Sequence, residues 1–177
     1  ANAIQLGDWS SDVCSSDLIE DCLFADKRDA SLDRVFDTKV LGALNLLAAV
    51  DIAELSAIGF FSSIAGRFGN RGQADYAAAN EVLTRLSLQL KAGRPDLSVV
   101  AYNWGPWTGA GMADGTVNQQ FLARGIVPIQ VEPGTTVALR ALADAPSAEM
   151  IAGQGDWRVG EVDEQWFFAG AQLDRAN

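Results

Sequence analysis

Tyr76 and Asn80 are four residues apart, the spacing that places two side chains on one face of an α-helix. Ser63 precedes Tyr76 by 13 residues and follows an apolar run, and Lys39 lies 24 residues before Ser63. A phenol, an amide, a hydroxyl and an ammonium all donate hydrogen bonds, and the phenol can also transfer a proton. If helices and a strand end bring them together, these four side chains predict acid–base chemistry.

The absence of histidine narrows that chemistry further. Ser-His-Asp and Cys-His catalysis and most zinc sites require an imidazole, so none of them is expected. Cys14 and Cys22 show no metal-ligand spacing and suggest no disulfide framework. We therefore expect no bound metal, and we assign any chemistry to Ser, Tyr, Lys, Asn or carboxylate side chains.

Composition and charge limit the expected partners. The 177 residues include 13 basic and 23 acidic residues, which gives a net charge of −10. Nucleic-acid binders usually present a basic face that displaces counterions, so no nucleic-acid partner is expected. The longest apolar run, residues 41–50, is too short to span a bilayer, and no segment has the pattern of a signal peptide. The sequence predicts a cytoplasmic protein with no membrane contact.

Helical and strand patterns alternate along the chain. Ser31 is predicted to be the N-cap of the first helix, and Asp33 places a carboxylate in its first turn. Predicted helices cover residues 31–50, 73–91, 117–124 and 133–143, predicted strands cover 55–62, 97–104 and 150–152, and predicted loops cover 66–72 and 105–115. Strands separated by helices imply parallel pairing through right-handed crossovers. The pattern predicts a three-layer α/β fold.

The two ends of the chain are set apart from this fold. Residues 7–18 (Gly-Asp-Trp-Ser-Ser-Asp-Val-Cys-Ser-Ser-Asp-Leu) match the in-frame translation of a common sequencing adapter. We therefore treat residues 1–18 as an artefact of sequencing or assembly, the alternative being a genuine Ser/Asp-rich loop. Residues 154–177 show no clear period and are predicted to be a tail or linker. Within that tail, the apolar cluster 165–168 is expected to be core, or else a docking surface.

Four segments carry a specific resemblance: residues 36–40 (Phe-Asp-Thr-Lys-Val), 61–66 (Phe-Ser-Ser-Ile-Ala-Gly), 75–80 (Asp-Tyr-Ala-Ala-Ala-Asn) and 103–107 (Asn-Trp-Gly-Pro-Trp). They resemble the ketoreductase domains of type I polyketide synthases, and residues 67–70 and 80–83 are similar to those of polyunsaturated fatty acid synthases. The resemblance covers residues 19–153. It implies a three-layer, Rossmann-like short-chain dehydrogenase/reductase fold with a parallel sheet and with its N-terminal half missing.

The resemblance places the catalytic tetrad of this family on Lys39, Ser63, Tyr76 and Asn80. Ordinary members of the superfamily carry Lys four residues after the Tyr, whereas this chain has Asn80 there and a Lys upstream, as is typical of polyketide ketoreductases. Tyr76 is the implied general acid, and Lys39 favours its phenolate, since a free phenol titrates near ~10. Ser63 is implied to donate a hydrogen bond to the carbonyl. Asn80 is implied to hold Lys39 or a relay water.

The implied cofactor is NADPH. Tyr76, Pro106 and Trp107 are its expected contacts, whereas Trp104 is expected to pack in the core. The loop 108–115 matches the mobile substrate lid of the family. No Gly-x-Gly-x-x-Gly run follows a predicted strand, so the loop that holds the dinucleotide phosphates is absent from this sequence. We therefore expect the 177-residue chain to be inactive by itself.

The implied substrate is a β-ketoacyl thioester on an acyl carrier protein, reduced to a 3-hydroxyacyl thioester beside neighbouring synthase domains. Asp21, in the run 19–21, stands at the second Asp of the Leu-Asp-Asp motif that marks producers of the D (3R) alcohol. Phe68 stands where the opposite class carries Trp. Ser62 and Met112 are further candidates for substrate contact. The resemblance thus favours the D product.

Three alternatives stay open, the first being a substrate-binding or interaction module whose tail, through residues 165–168, contacts a neighbour. The chain is similar enough to the wider superfamily to be another oxidoreductase acting on a small ketone or alcohol. It is also similar to the non-catalytic scaffold subdomain that these synthases contain. The complete tetrad argues against a scaffold, which has no use for it.

Overall fold

A computed structural model of the chain describes residues 18–108, 119, 121–123, 125–144 and 147–155. The helices are α1 (Asp29–Ala49), α2 (Ile64–Phe68), α3 (Ala74–Gly93) and α4 (Val131–Asp144), with single 3₁₀ turns at Phe24–Asp26 and Ile52–Glu54. The strands are β1 (Ala57–Ser63), β2 (Ser98–Trp104), β3 (Trp107–Thr108), β4 (Ile126–Val127), β5 (Ile129–Gln130), β6 (Glu149–Ala152) and β7 (Gln154–Gly155).

The main sheet has the order β1-β2-β6, and both of its strand pairs are parallel. Strand β2 lies in the middle and is buried on both faces, which is why its sequence is almost continuously apolar, with valines and aromatic residues. The predicted parallel α/β fold is confirmed. Among the described residues, no strand pairs with the outer edge of β1.

The side chains of β2 alternate between two cores, and this alternation creates the three layers. Val99 and Ala101 pack with Leu83 of α3, with Leu47 of α1 in the same core. On the opposite face, the core is built from aromatic rings and α4. Its members are Val100, Tyr102, Trp104, Trp107, Ile129, Ala138, Ala141, Leu142, Met150 and Ala152. The hydroxyl of Tyr102 donates to the carbonyl oxygen of Ala138 at 2.8 Å, which fixes α4 on the sheet.

Burial of the Tyr102 ring raises the pKa of its phenol, because the charged form loses hydration. This tyrosine is therefore a structural hydrogen-bond donor to α4. It lies on the face of the sheet opposite the core that α1 and α3 share.

The N-terminus of α1 differs from the prediction. The helix begins at Asp29, its N-cap is Arg28, and Ser31 lies inside the helix with a buried side chain. The prediction of Ser31 as the N-cap, with Asp33 in the first turn, is therefore wrong. The carboxylate in the first turn is that of Asp29, which suits the positive end of the helix dipole.

Two local features were missed or misplaced. Residues 64–68, assigned partly to a glycine-rich connector, form α2. The two-residue strands also lacked any sequence prediction: β3 pairs in parallel with β5, and β4 pairs antiparallel with β7. Residues 119 and 121–123 are helical, in agreement with the predicted helix 117–124. Within the part of the chain that the structure describes, no helix is long and apolar enough to cross a membrane.

Candidate active site

Strands β1 and β2 end side by side. Ser63 is paired with Trp104, and each is the last residue of its strand. In an open parallel sheet, ligands bind beyond the carboxyl ends of the strands. Ser63 therefore lies at the edge where a site is expected, and the chain then continues into α2.

Ser63 is the N-cap residue of α2, and its hydroxyl makes the capping hydrogen bond. Its Oγ accepts a hydrogen bond from the backbone N–H of Ala65 at 3.1 Å, which satisfies one of the free donors of the helix. A hydroxyl that accepts one bond can still donate its own hydrogen. The cap therefore fixes the oxygen while leaving its proton for a ligand.

Lys39 and Tyr76 come together from two different helices. The Nζ of Lys39, on α1, lies 5.3 Å from the centroid of the Tyr76 ring, on α3. It also donates to the carbonyl oxygen of Phe61 at 3.4 Å. Lys39 is only 9% exposed and Tyr76 only 8%. The structure thus places a buried ammonium beside a buried phenol, where attraction between the positive charge and a phenolate opposes the desolvation cost of that anion.

Asn80 lies one turn after Tyr76 and is fully buried. Its Nδ2 donates to the carbonyl oxygen of Tyr76 at 2.7 Å, whereas its Oδ1 has no hydrogen-bond partner among the described residues. A buried amide oxygen without a donor is costly, so this atom is available to a donor from a side chain, a water or a ligand. Gly66 of α2 lies against this residue, because a Cβ there would be 3.1 Å from both the Cβ and the carbonyl carbon of Asn80.

A chain of buried hydrogen bonds supports Asn80 from behind. Ser62 Oγ donates to the carbonyl oxygen of Asn80 at 2.9 Å, and Thr84 Oγ1 donates to Asn103 Oδ1 at 3.1 Å. Asn103 Nδ2 in turn donates to Glu149 Oε1 at 3.0 Å. The side chain of Ser62 is thus directed into the protein, and its observed contact is with the backbone of α3. Its predicted contact with substrate stays a prediction.

Sequence reasoning missed Thr84, Asn103 and Glu149. Thr84 could have been found from the sequence pattern, because the polar residues Asn80, Thr84 and Ser87 follow one another at helical spacing. All three are fully buried. Such a polar stripe on the inner face of a helix indicates a hydrogen-bonded network beneath it. The carboxylate of Glu149 also accepts from Arg67 Nε at 2.7 Å, which connects the network to α2.

The segment predicted to control stereochemistry lies against the start of α3. Asp21 Oδ2 accepts a hydrogen bond from Gln73 Nε2 at 2.9 Å. Ile19 packs against the buried cluster that contains Tyr76. Phe68 is the last residue of α2 and is half-buried, and Met112 lies outside the described residues.

The tryptophans near the end of β2 have different surroundings. Trp104 is buried and stacks on Tyr102 with ring centroids 5.3 Å apart, which confirms the expectation that it is a core residue. Trp107 is half-buried and meets Trp104 edge-on at 4.7 Å. The carbonyl oxygen of Pro106 accepts from Ile129 N at 2.7 Å, which fixes the chain as it leaves the sheet. The roles of Pro106 and Trp107 toward a cofactor remain predictions.

Among the described residues, no group of three or more Cys, Asp or Glu side chains is placed to hold a metal ion. Lys39 lies beside Tyr76, Asn80 bonds to the backbone of Tyr76, and Ser63 ends β1. Comparison with known proteins then decides the family. The family model described as "KR domain" matches residues 13–109, more than half of the 177-residue chain. The chain belongs to the ketoreductase family.

Relatives of this ketoreductase include large multidomain synthases. It is 38% identical over 153 residues to a polyunsaturated fatty acid synthase from Thraustochytrium sp., a match that covers 86% of this chain and 5% of that protein. It is 35% identical over 154 residues to the polyketide synthase GfsB of Streptomyces halstedii, covering 86% of this chain and 3% of that protein. The resemblance to both classes of synthase is thereby confirmed, and the ketoreductase spans only a small part of each relative.

Solved ketoreductases share the fold. The first ketoreductase of the tylosin PKS is 30% identical with a TM-score of 0.66, and the match covers 80% of this chain and 31% of that one. A ketoreductase from the first module of phoslactomycin biosynthesis in Streptomyces sp. HK803 is 27% identical with a TM-score of 0.72, covering 80% and 32%. The short-chain dehydrogenase/reductase fold is confirmed. The chain spans about a third of each of these solved ketoreductases.

Proposed function

We propose that the ketoreductase domain containing this sequence reduces the β-keto group of a carrier-protein-bound acyl thioester to a 3-hydroxyacyl thioester. The observation that carries the proposal is the buried ammonium of Lys39, 5.3 Å from the centroid of the buried Tyr76 ring. This pair and Ser63 supply what the protein must contribute to a ketone reduction, which is a proton donor and a hydrogen-bond donor for the carbonyl oxygen.

Reduction of a ketone adds hydride to the carbonyl carbon and a proton to its oxygen. Tyr76 donates that proton, and Lys39 stabilises the phenolate that remains. Ser63, held by its contact with Ala65 N, donates its hydroxyl hydrogen to the oxygen as negative charge develops there. Asn80, with an unused buried oxygen, accepts a hydrogen bond that orients Lys39 or a relay water.

The residues present fit a nicotinamide dinucleotide. Lys39 and Tyr76 can donate hydrogen bonds to a ligand that carries hydroxyl groups, and Asn80 Oδ1 can accept one. Pro106 and Trp107 follow the carboxyl end of β2. When bound, NADPH supplies the hydride. Among the residues of this chain, we assign Tyr76, Pro106 and Trp107 to its nicotinamide end.

We also propose that the product is the D (3R) alcohol and that the substrate arrives on an acyl carrier protein within a multidomain synthase. Asp21 and the absence of Trp at position 68 support the stereochemistry, and the synthase relatives support the carrier. A flanking segment that makes the acyl chain enter from one side presents one carbonyl face to the hydride.

The test is an assay of the complete ketoreductase domain that carries this sequence. We expect NADPH oxidation that depends on a β-ketoacyl thioester, and a 3-hydroxy product that is mainly D by chiral chromatography. Absence of turnover with intact NADPH binding would favour a scaffold. Turnover of small ketones but not of thioesters would favour another oxidoreductase. A mainly L product would refute the assignment of Asp21 as a marker of the D product.

We further propose that the 177-residue chain alone binds NADPH far more weakly than the complete domain. The sequence contains no Gly-x-Gly-x-x-Gly run after a strand, the loop that holds the pyrophosphate in this superfamily. Calorimetric titration of both proteins tests this, and equal affinities would contradict it.

A further inference from the structure

Lys27 and Asp75 form a buried ion pair beside the catalytic tyrosine. Lys27 Nζ lies 2.6 Å from Asp75 Oδ2, and the two side chains are only 3% and 2% exposed. Asp75 directly precedes Tyr76, and its Oδ1 accepts a hydrogen bond from the Tyr76 N–H at 2.9 Å. Burial of two charges carries a large desolvation cost, so a pair in this position is poor evidence for stability and suggests another use.

The same ammonium also holds the segment that precedes it. Lys27 Nζ donates to the backbone carbonyl oxygen of Glu20, which belongs to the run 19–21. One side chain therefore connects the backbone of that run to the carboxylate beside Tyr76. Burial is the largest single effect on the pKa of Lys27 and lowers it, but the hydrogen bond to Asp75 and the charge of Asp75 together raise that pKa above its ordinary value. Lys27 is therefore positively charged.

Three further hydrogen bonds hold this part of the chain: one joins Cys22, directly after the run 19–21, to the loop before α3, and two join Glu20 to α1. Cys22 N–H donates to the carbonyl oxygen of Gly72 at 3.0 Å. Glu20 accepts two hydrogen bonds from the guanidinium of Arg34, at 2.9 and 2.8 Å. Arg34 lies on α1, the helix that carries Lys39. The run is thus attached to both helices, and among the described contacts the one from Lys27 is made by a buried charge.

We propose that Lys27 and Asp75 are positioning residues that determine which face of the substrate carbonyl is reduced, by clamping the run 19–21 to the first turn of α3. This inference rests on the proposed function. The clamp fixes the distance between that run and Tyr76, so its loss lets the acyl chain enter on either side of the proton donor.

The test measures the ratio of D to L alcohol made by the complete domain. We expect Lys27→Met and Asp75→Asn each to lower the ratio of major to minor product by at least about tenfold, equivalent to about 1.4 kcal/mol between the two transition states. Lys27→Arg keeps the charge and is expected to restore most of the ratio. Loss of stability alone removes active protein without altering this ratio, so the readout separates positioning from a structural role.

A matched control is available at the far end of α3. Arg94, the C-cap residue of that helix, pairs with Asp96 at 2.8 Å, but both side chains are far more exposed than those of Lys27 and Asp75. Arg94→Met is expected to leave the product ratio unchanged. If Lys27→Met does not fold, Asp75→Asn carries the test of the ion pair. Gln73→Leu then tests whether attachment of the run 19–21 to the start of α3 affects the ratio, because it removes the bond to Asp21 without burying an unpaired charge, and we expect it to lower the ratio too.

The outcomes separate the two proposals. No reduction by the parent domain refutes the proposed function. A parent that is stereoselective, with folded Asp75→Asn and Gln73→Leu variants that keep the parent ratio, refutes the clamp alone. A parent that reduces the thioester without preference for either product refutes the clamp as well.

Discussion

Lys39 and Tyr76 lie on different helices, yet the ammonium nitrogen is 5.3 Å from the centroid of the phenol ring. The cation therefore reaches the tyrosine across the interface of α1 and α3, and not from the next turn of the tyrosine's own helix. The position one turn later belongs to Asn80, whose Nδ2 bonds to the carbonyl oxygen of Tyr76. The distance between this ammonium and this phenol therefore depends on how α1 and α3 pack.

Replacement of Tyr76, the residue that we propose as the proton donor, gives the first prediction. Tyr76→Phe in the complete domain is expected to lower kcat by about 10²–10⁴-fold, the usual contribution of a positioned general acid. The affinity for NADPH is expected to stay within a few-fold of the parent. The matched control is Tyr102→Phe, since the sequence has only these two tyrosines and Tyr102 bonds to α4 on the opposite face of the sheet. Similar losses of kcat in both variants would contradict the assignment.

Removal of the cation gives the second prediction. Lys39→Ala is expected to lower kcat by orders of magnitude and to move the alkaline limb of the pH–rate profile to higher pH. The reason is that loss of a nearby positive charge disfavours the phenolate, so Tyr76 stays protonated to higher pH. Lys39→Arg keeps the charge and serves as the control. If the Lys39→Ala variant has a reduced kcat but the same pH–rate profile as the parent, Lys39 does not act on the protonation of Tyr76.

The order of the main elements could be predicted from the sequence because it depends on local patterns. The tetrad was assigned through the family resemblance, and its roles stay a prediction. Helical periodicity, and an apolar strand such as β2, can be recognised from a short stretch of consecutive residues. The two-residue pairs such as β3 with β5 carry no such signal, since they depend on how distant segments meet. The same holds for Lys27 and Asp75, which are far apart in the sequence and lie on segments whose packing no periodicity reveals.

Acid should weaken the contact between the run 19–21 and α1. The hydrogen bonds from Arg34 lower the pKa of Glu20 from an ordinary 4.5 to about 2. A carboxyl with a lowered pKa contributes stability above its ordinary pKa, and that contribution is lost as the pH falls toward the folded value. Glu20→Gln cannot titrate, so the stability difference from the parent should shrink between pH 4.5 and about 2. Thermal melts at a series of pH values measure this, and a constant difference would contradict it.

Thr84 is the centre of the buried network behind Asn80. Thr84→Val keeps the shape of the side chain but leaves Asn103 Oδ1 without its donor, so we expect unfolding in urea to become easier by about 1–3 kcal/mol. Thr84→Ser retains the hydroxyl and is expected to lose less. A Thr84→Val variant as stable as the parent, or one that loses less than Thr84→Ser, would contradict the importance of this hydrogen bond.

Gly66 lies where α2 approaches the backbone of α3, beside Asn80. A Cβ at this position would lie 2.9 Å from the backbone nitrogen of Glu81 and 3.1 Å from the carbonyl carbon of Asn80. Backbone atoms cannot rotate away, so Gly66→Ala must push α2 outward, at a cost of about 1–3 kcal/mol. We also expect kcat to fall, because α2 begins at the Ser63 cap and a shifted α2 moves that hydroxyl. Gly42→Ala is the matched control, since a Cβ there meets nothing within 4 Å and α1 should gain about 0.5–1 kcal/mol from the better helix former. Urea unfolding and turnover of both variants test this, and a Gly66→Ala variant with the stability and kcat of the parent would contradict the close approach of the two helices.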